Sequence, residues 1–226
     1  MIQKEIANLA EAVRDIPDGA VILSSGFGGA GLPTELLEAL FEQGAKNLTF
    51  ISNNAGSGSN GIAKLVIAKR IKKMICSFPR QKEEWTFDEQ YRAGLIALEL
   101  VPQGTLAERI RAGGAGIGGF YTPTGFGTEL AQGKDTKIID GVSHVFEKAI
   151  KADYAFIKAK KGDRWGNLVY HRTGRNYGPI MATAAKLTIA QVDEVVDLGE
   201  LNPETIITPG IFVQRIVNVG KRDSKS

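Results

Sequence analysis

Between Ser24 and Pro33 the chain reads "SSGFGGAGLP", and Gly26, Gly28 and Gly31 fall at the spacing G-x-G-x-x-G. Between a strand and a helix, such glycines let the backbone turn tightly and approach a phosphate at the helix start. A dinucleotide site also needs a carboxylate for the ribose about twenty residues further on. That neighbourhood is Phe50-Ile51-Ser52-Asn53-Asn54, which has none. The pattern G-x-x-x-x-G-K-[ST] is absent as well, so P-loop hydrolysis loses its main support. Two readings stay open. The glycines either only permit a tight turn, or they precede a helix start whose free backbone N–H groups meet an anion or a developing oxyanion.

Other reactive side chains give weaker signals. Cys76 sits in the apolar run Met74-Ile75-Cys76 with no partner at a catalytic spacing, and reads as a small packed hydrophobe. His144 and His171 are far apart in sequence and lack Cys or His at metal-ligand spacing, so no metal site is expected. Trp165, within Gly162-Asp163-Arg164-Trp165-Gly166-Asn167, reads as the aromatic anchor of a turn. Glu108 and Arg109 are adjacent on a helix, point to different faces, and read as surface residues.

The elements that must carry these residues alternate regularly. A helix is expected over Glu5 to Ile16, then strand Ala20 to Leu23, the glycine loop, and a helix from Thr34 to Gln43 with Pro33 in its first turn. Strand and helix alternate again at 48–52 and 62–68, at 73–77 and 83–93, and at 96–101 and 106–111. Four such units predict an α/β fold with a doubly wound, mostly parallel sheet, flanking helices, and ligands at the carboxyl ends of the strands. From Gly113 the grammar changes: "GGAGIGGFYTPTGFGT" holds seven glycines in sixteen residues and reads as an ordered, backbone-rich loop beside a ligand. A β-hairpin insertion follows, with strands 136–139 and 142–146 around Asp140-Gly141. Further strands are expected at 154–159, 168–171, 187–192 and 212–217, and a helix near 180–186.

With 226 residues, 43% of them hydrophobic, the chain can bury one substantial core, so residues 1–220 read as a single domain followed by a polar tail at 221–226. Twenty-eight basic against 25 acidic residues leave a net charge of +3, which gives no argument for a nucleic-acid partner. No apolar run approaches the about eighteen residues of a membrane span, and residues 1–5 hold no run of signal-peptide length. A cytoplasmic protein without a membrane partner is the expectation.

Taken together, "SGFGGAGLP", "SNNAG", "VPQGTLAERIRAGGAGIGGFYTPTGFGT", "ADYAFIKAKKGDRWGNLVY", "GRNYGPIMATAA" and "GELNPETIITPGIFVQRI" resemble the A (α) chain of 3-oxoacid CoA-transferases, in order over residues 5–218. "ICSFPRQ" and "KGDRWGNL" are most similar to the 3-oxoadipate branch. Two departures stand out: Ser25-Gly26 replaces the family's Gly-Gly, and Gly174 replaces an alanine before Arg175-Asn176.

The resemblance implies a covalent mechanism. A glutamate attacks the acyl-CoA thioester, forms a mixed anhydride, and then carries CoA as an enzyme thioester to the second acid. The family's nucleophile lies in a Ser-Glu-Asn-Gly segment of the B subunit, and Glu-Asn-Gly is absent here. No catalytic nucleophile is therefore expected on this chain, which would work as a heterodimer or heterotetramer with a B subunit. Its substrates would be succinyl-CoA and 3-oxoadipate, with coenzyme A esters as substrates and no permanently bound cofactor. An acetoacetate or other short-chain 3-oxoacid specificity is the alternative within the enzyme class. A non-catalytic domain that senses CoA esters is the alternative outside it.

Site residues follow by the same resemblance. Ser25, Gly26, Phe27, Gly28, Gly29, Ala30 and Gly31 form the CoA-contacting loop. Asn53, Asn54, Gln103, Phe120 and Tyr121 line the acyl pocket, with Asn54 and Gln103 as neutral oxyanion donors. An ordinary loop cap remains open for Asn53-Asn54, and core packing for Phe120-Tyr121. Arg80, just after a strand with Gln81, would bind the distal carboxylate that 3-oxoadipate has and acetoacetate lacks. A solvated arginine beside Lys82 and Glu83 is its other reading.

Overall fold

The computed structural model describes residues 2–79 and 86–220. Its first helix, α1 (Leu9–Val13), is shorter than expected, because Asn8 caps it from the N-terminal side by accepting from the Glu11 N–H. Residues ahead of the cap are extended instead, and Glu5 forms a parallel bridge with Ile216.

Short runs rich in Val, Ile, Leu and Phe then form parallel strands, β1 (Val21–Ser24), β2 (Leu48–Ile51), β3 (Ile71–Cys76) and β4 (Ala97–Leu100). Parallel strands cannot be joined by a tight turn. The crossovers are α2 (Thr34–Gln43), α3 (Gly61–Ile67) and α4 (Thr86–Arg92), and α5 (Gln103–Gly114) follows β4. Beyond a small antiparallel sheet, β8 (Ala152–Asp163), β9 (Leu168–Val169), α6 (Gly178–Ala184), β10 (Ala185–Val196) and β11 (Arg215–Asn218) complete the main sheet. Its order is β11-β10-β8-β1-β2-β3-β4, with only β9 antiparallel, against β8.

Alternation along the strands feeds two cores. Ile22, Phe50, Met74 and Phe156 pack on one face, against α1 to α4; Leu23, Ile51, Ile75 and Ile157 pack on the other, against α5 and α6. Leu36, Leu37 and Leu40 of α2 are fully buried, each contributing about 1.5–3 kcal/mol of transfer free energy. The expected doubly wound sheet is the observed one.

The glycine-rich stretch after α5 departs from expectation. Gly119–Thr122 is a strand, β5, paired antiparallel with β7 (Val142–Lys148), which in turn pairs with β6 (Thr136–Ile139). The expected hairpin is thus two strands of three. Asp140 and Gly141 turn between β6 and β7 with φ of 50° and 78°, the left-handed pair that a tight hairpin requires.

Arg109 corrects the surface reading: it is buried, and it fastens this small sheet to the large one. Its Nε donates to the Lys148 carbonyl at 2.7 Å and its Nη1 to Glu99 at 2.8 Å, while Glu147, itself buried, lies 3.7 Å away. Burial alone would raise the Glu99 pKa, but hydrogen bonds from Lys73 and Arg109 hold the carboxyl below its usual range. Glu108 does stay at the surface, paired with Arg111 one turn on.

Candidate functional site

The parallel sheet brings the ends of its strands to one edge. The chain leaves β1 at Ser25, β2 at Ser52, β3 at Ser77, and reaches Gln103 after β4. Two constructions stand there, one made of backbone and one of side-chain amides.

The backbone construction is loop 25–31. Ser25 is buried and closes it: its Oγ donates to the Gly31 carbonyl at 2.8 Å and accepts from the Lys158 N–H at 3.2 Å. The residue that departs from the family pattern is therefore a fastener at the loop's base. Phe27 and Ala30 exchange backbone hydrogen bonds at 3.0 and 3.2 Å, which pushes the exposed Gly28-Gly29 outward as a tip. Gly31 has φ 71°, and a Cβ there would lie 2.2 Å from the Gly174 carbonyl oxygen. The alanine that the family has at 174 would fit, since an added Cβ meets nothing closer than 3.7 Å.

The loop's main external tie is Asn176. Its Oδ1 accepts from the N–H groups of Gly26 (3.0 Å) and Tyr177 (2.7 Å), and its Nδ2 donates to the carbonyls of Ala30 (2.9 Å) and Thr173 (3.1 Å). At the helix start behind the loop one of the open N–H groups is already taken. The N–H of Leu36 donates to Oε1 of the fully buried Gln191 at 3.0 Å, and Gln191 also donates to Glu35. Pro33 stands at the N-cap rather than in the first turn. The glycine tip stays outward-facing.

The second construction centres on Asn53, which is buried. Its Oδ1 accepts from Ser77 Oγ at 2.9 Å, Gln103 Nε2 at 2.9 Å and Tyr177 Oη at 3.4 Å. Its backbone carbonyl accepts from Ser77 Oγ and from the N–H groups of Ser77 and Phe78. With the oxygen so occupied, the orientation of the Asn53 amide is fixed. Asn54 is a loop cap, accepting from the Gly56 N–H at 2.9 Å. Burial raises the Tyr177 pKa above the usual tyrosine range. The neighbouring Cys76 is fully buried, and burial pushes its thiol up to about 12, in keeping with packing rather than nucleophilic attack.

Phe120 and Tyr121 belong to β5; the Tyr121 ring packs on Phe146 at 5.2 Å and lies beneath Lys137. Arg80 and Gln81 fall outside the described residues. Trp165 is half exposed, and its turn is anchored by Asp163, whose carboxylate accepts from the N–H groups of Trp165 and Asn167. His171 caps a short 3₁₀ turn. Beside the glycine loop runs a groove of about 1220 Å³, lined by Phe27, Ala30, Tyr170, Arg172, Arg175 and Asn176 among others. Among the described residues neither arginine has a carboxylate within ion-pair distance.

Sequence reasoning missed Ser77, Asn176, Tyr177 and Gln191 as parts of the site. Asn176 and Tyr177 stand out only inside the motif "GRNYGPIMATAA". Local spacing carries no sign of contacts that span 124 to 155 residues.

Residues 6–219 match the family described as Coenzyme A transferase. The chain belongs to that family. The transferase is 62% identical, over 97% of its own length and 96% of the relative's, to the A chain of the 3-oxoadipate CoA-transferase of Acinetobacter baylyi. It is 47% identical, over 89% and 83% of the two chains, to the A chain of the succinyl-CoA:3-ketoacid coenzyme A transferase of Xanthomonas campestris. Its fold superimposes with a TM-score of 0.82 on an acyl-CoA transferase from E. coli O157:H7, solved as a thioester complex with CoA. That match is 23% identical and covers 96% of the transferase but only 47% of the E. coli chain. No helix among the described residues is long and apolar enough to cross a membrane.

Proposed function

We propose that this transferase is the A chain of a two-chain, cytoplasmic enzyme that moves CoA from succinyl-CoA to 3-oxoadipate. The observation that carries the reading is the end-to-end 62% identity with the A chain of a 3-oxoadipate CoA-transferase, against 47% with that of a succinyl-CoA:3-ketoacid enzyme. The partner B subunit supplies the nucleophile. Its glutamate carboxylate adds to the succinyl-CoA carbonyl and expels the CoA thiolate, leaving a mixed anhydride. The thiolate then attacks the glutamyl carbonyl of the anhydride, releasing succinate and leaving the CoA thioester on the partner. The acceptor acid repeats these steps in reverse.

This chain supplies walls and donors. Loop 25–31 takes the CoA ester, and the groove beside it suits the phosphates of CoA because Arg172 and Arg175 line it, neither of them ion-paired to a carboxylate among the described residues, with Glu204 also on the lining. Asn53, Asn54 and Gln103 present neutral amides to the acyl end, able to donate to a developing oxyanion without pairing permanently with the partner's glutamate. Phe120 and Tyr121 close the acyl pocket from the small sheet, and Arg80 selects the second carboxylate of the acceptor.

The test is CoA transfer from succinyl-CoA to 3-oxoadipate and to acetoacetate, by this chain alone and after co-expression with a B chain carrying Ser-Glu-Asn-Gly. The reading requires activity only in the pair, with 3-oxoadipate preferred. Preference for acetoacetate moves the specificity to the 3-ketoacid class, and activity from this chain alone refutes the split site. R80M should raise KM for 3-oxoadipate and leave acetoacetate turnover nearly unchanged; equal effects on both would remove Arg80 from the pocket.

A further inference from the structure

We propose that Asn176 is the positioning residue that sets the glycine loop for the CoA ester and ties that loop to the Asn53 cluster. The inference deepens the transferase reading and rests on it. A loop of glycines has no preferred shape of its own, so something outside it must choose one. Ser25 fastens only the base, joining residue 25 to residue 31 and to the Lys158 N–H. The two arms of the loop, Gly26 on one side and Ala30 on the other, are both bound by one side chain, with Oδ1 as acceptor and Nδ2 as donor. No other single residue among the described ones bonds both arms through its side chain.

Asn176 is itself held from below. It follows a tight 3₁₀ turn, Arg172–Arg175, whose first residue takes a left-handed φ of 47°, and it precedes α6, which is packed in the core. Its Nδ2 also donates to Thr173 within that turn, and the Gly174 carbonyl of the turn sits so close to Gly31 that residue 31 has no room for a Cβ. The next residue, Tyr177, donates its N–H to Asn176 Oδ1 and its hydroxyl to Asn53. One dipeptide therefore touches both the loop that would hold CoA and the amide that would face the acyl carbon. A non-glycine residue held at positive φ is strain that tends to collect at functional sites, and here it presents the strut.

The experiment compares the parent with N176A and N176D, each co-expressed with the B chain. Succinyl-CoA and 3-oxoadipate are varied in turn, and backbone hydrogen exchange is followed at Gly26 and Tyr177. N176A removes all five side-chain bonds, the long one from Nδ2 to the Gly174 carbonyl (3.4 Å) included. It should raise KM for succinyl-CoA roughly tenfold, more than KM for 3-oxoadipate, and speed exchange at both amides. N176D keeps an oxygen for the Gly26 and Tyr177 amides, so those two should stay protected even though the donors to Ala30 and Thr173 are lost. The proposal requires KM for succinyl-CoA to differ from the parent in both variants. It also requires the Gly26 amide to distinguish them. A lowered melting temperature with parental KM values would make Asn176 a structural residue only and overturn the proposal, as would equal rises in the two KM values. A parental pair that transfers no CoA overturns the transferase reading and this inference with it, whereas an active pair with unaltered N176A kinetics counts against Asn176 alone.

Discussion

Loop 25–31 and the Asn53 cluster lie at the ends of adjacent strands, yet they are built on opposite plans. The loop is backbone, shaped by glycines and held by Ser25 and Asn176. The cluster is side chain, with three donors converging on one amide oxygen. A shape made of backbone has few substitutes at each position, so single changes are all-or-none. A shape made of several hydrogen bonds to one atom loses them one at a time, so its defects are graded.

The sharpest test of the contrast lies within the loop. Gly31 and Gly28 both have positive φ, 71° and 59°, but an added Cβ meets the Gly174 carbonyl at 2.2 Å in the first case and open space in the second. G28A should cost about 1–2 kcal/mol for the left-handed backbone alone. G31A must also displace the 174–176 strut and should cost about 4 kcal/mol or more, with loss of transfer by the pair. Urea unfolding of the two variants measures the gap. Equal losses would mean that the strut yields, and the all-or-none description of the loop would fail.

In the cluster the order of effects should follow the number of bonds removed. N53A takes away the acceptor of three donors and should lower kcat roughly 100-fold. Q103A removes one donor from a residue exposed at the start of α5 and should lower kcat roughly tenfold or less. Steady-state kinetics of the co-expressed pair decide it. A larger effect from Q103A than from N53A would make Gln103 the direct donor to substrate and Asn53 its support.

Much of the frame was legible in the sequence because it is local. Apolar runs such as Ala20 to Leu23, each followed by helical spacing, predicted the parallel sheet and so the edge at which the site lies. Other features were not local. Gly119–Thr122 lies within a stretch that has the glycine content of a loop, but its own Phe120, Tyr121 and Thr122 are strand formers, and pairing with β7 makes it a strand. Arg109 carries a charge that reads as surface, and only the meeting of the two sheets buries it. At the helix start the open N–H groups were expected from α2 alone, whereas Gln191, 155 residues away, takes one of them. The glycines announced a loop; Asn176, which holds it, has no local signature.

The smallest effect belongs to Tyr177, whose hydroxyl makes the longest of the three bonds to Asn53, 3.4 Å. Y177F leaves Ser77 and Gln103 in place, so kcat should change by no more than about twofold, in line with a bond worth about 0.5 kcal/mol. Its signature is instead in the pH dependence of stability. Burial raises the pKa of Tyr177 in the fold, so the folded chain keeps this proton at a pH where the unfolded chain has lost it. The associated stability is fully present below the unfolded tyrosine's pKa of about 10 and is lost as pH rises toward the folded value. Tyr170, pushed up by burial to about 12, contributes to the same decline and remains in the variant. Denaturant unfolding near neutral pH and again above about pH 10 should therefore show a smaller alkaline loss in Y177F than in the parent. An identical loss in both would mean that the hydroxyl is solvated. The third bond to Asn53, and with it the coupling of loop to cluster, would then have no energetic weight.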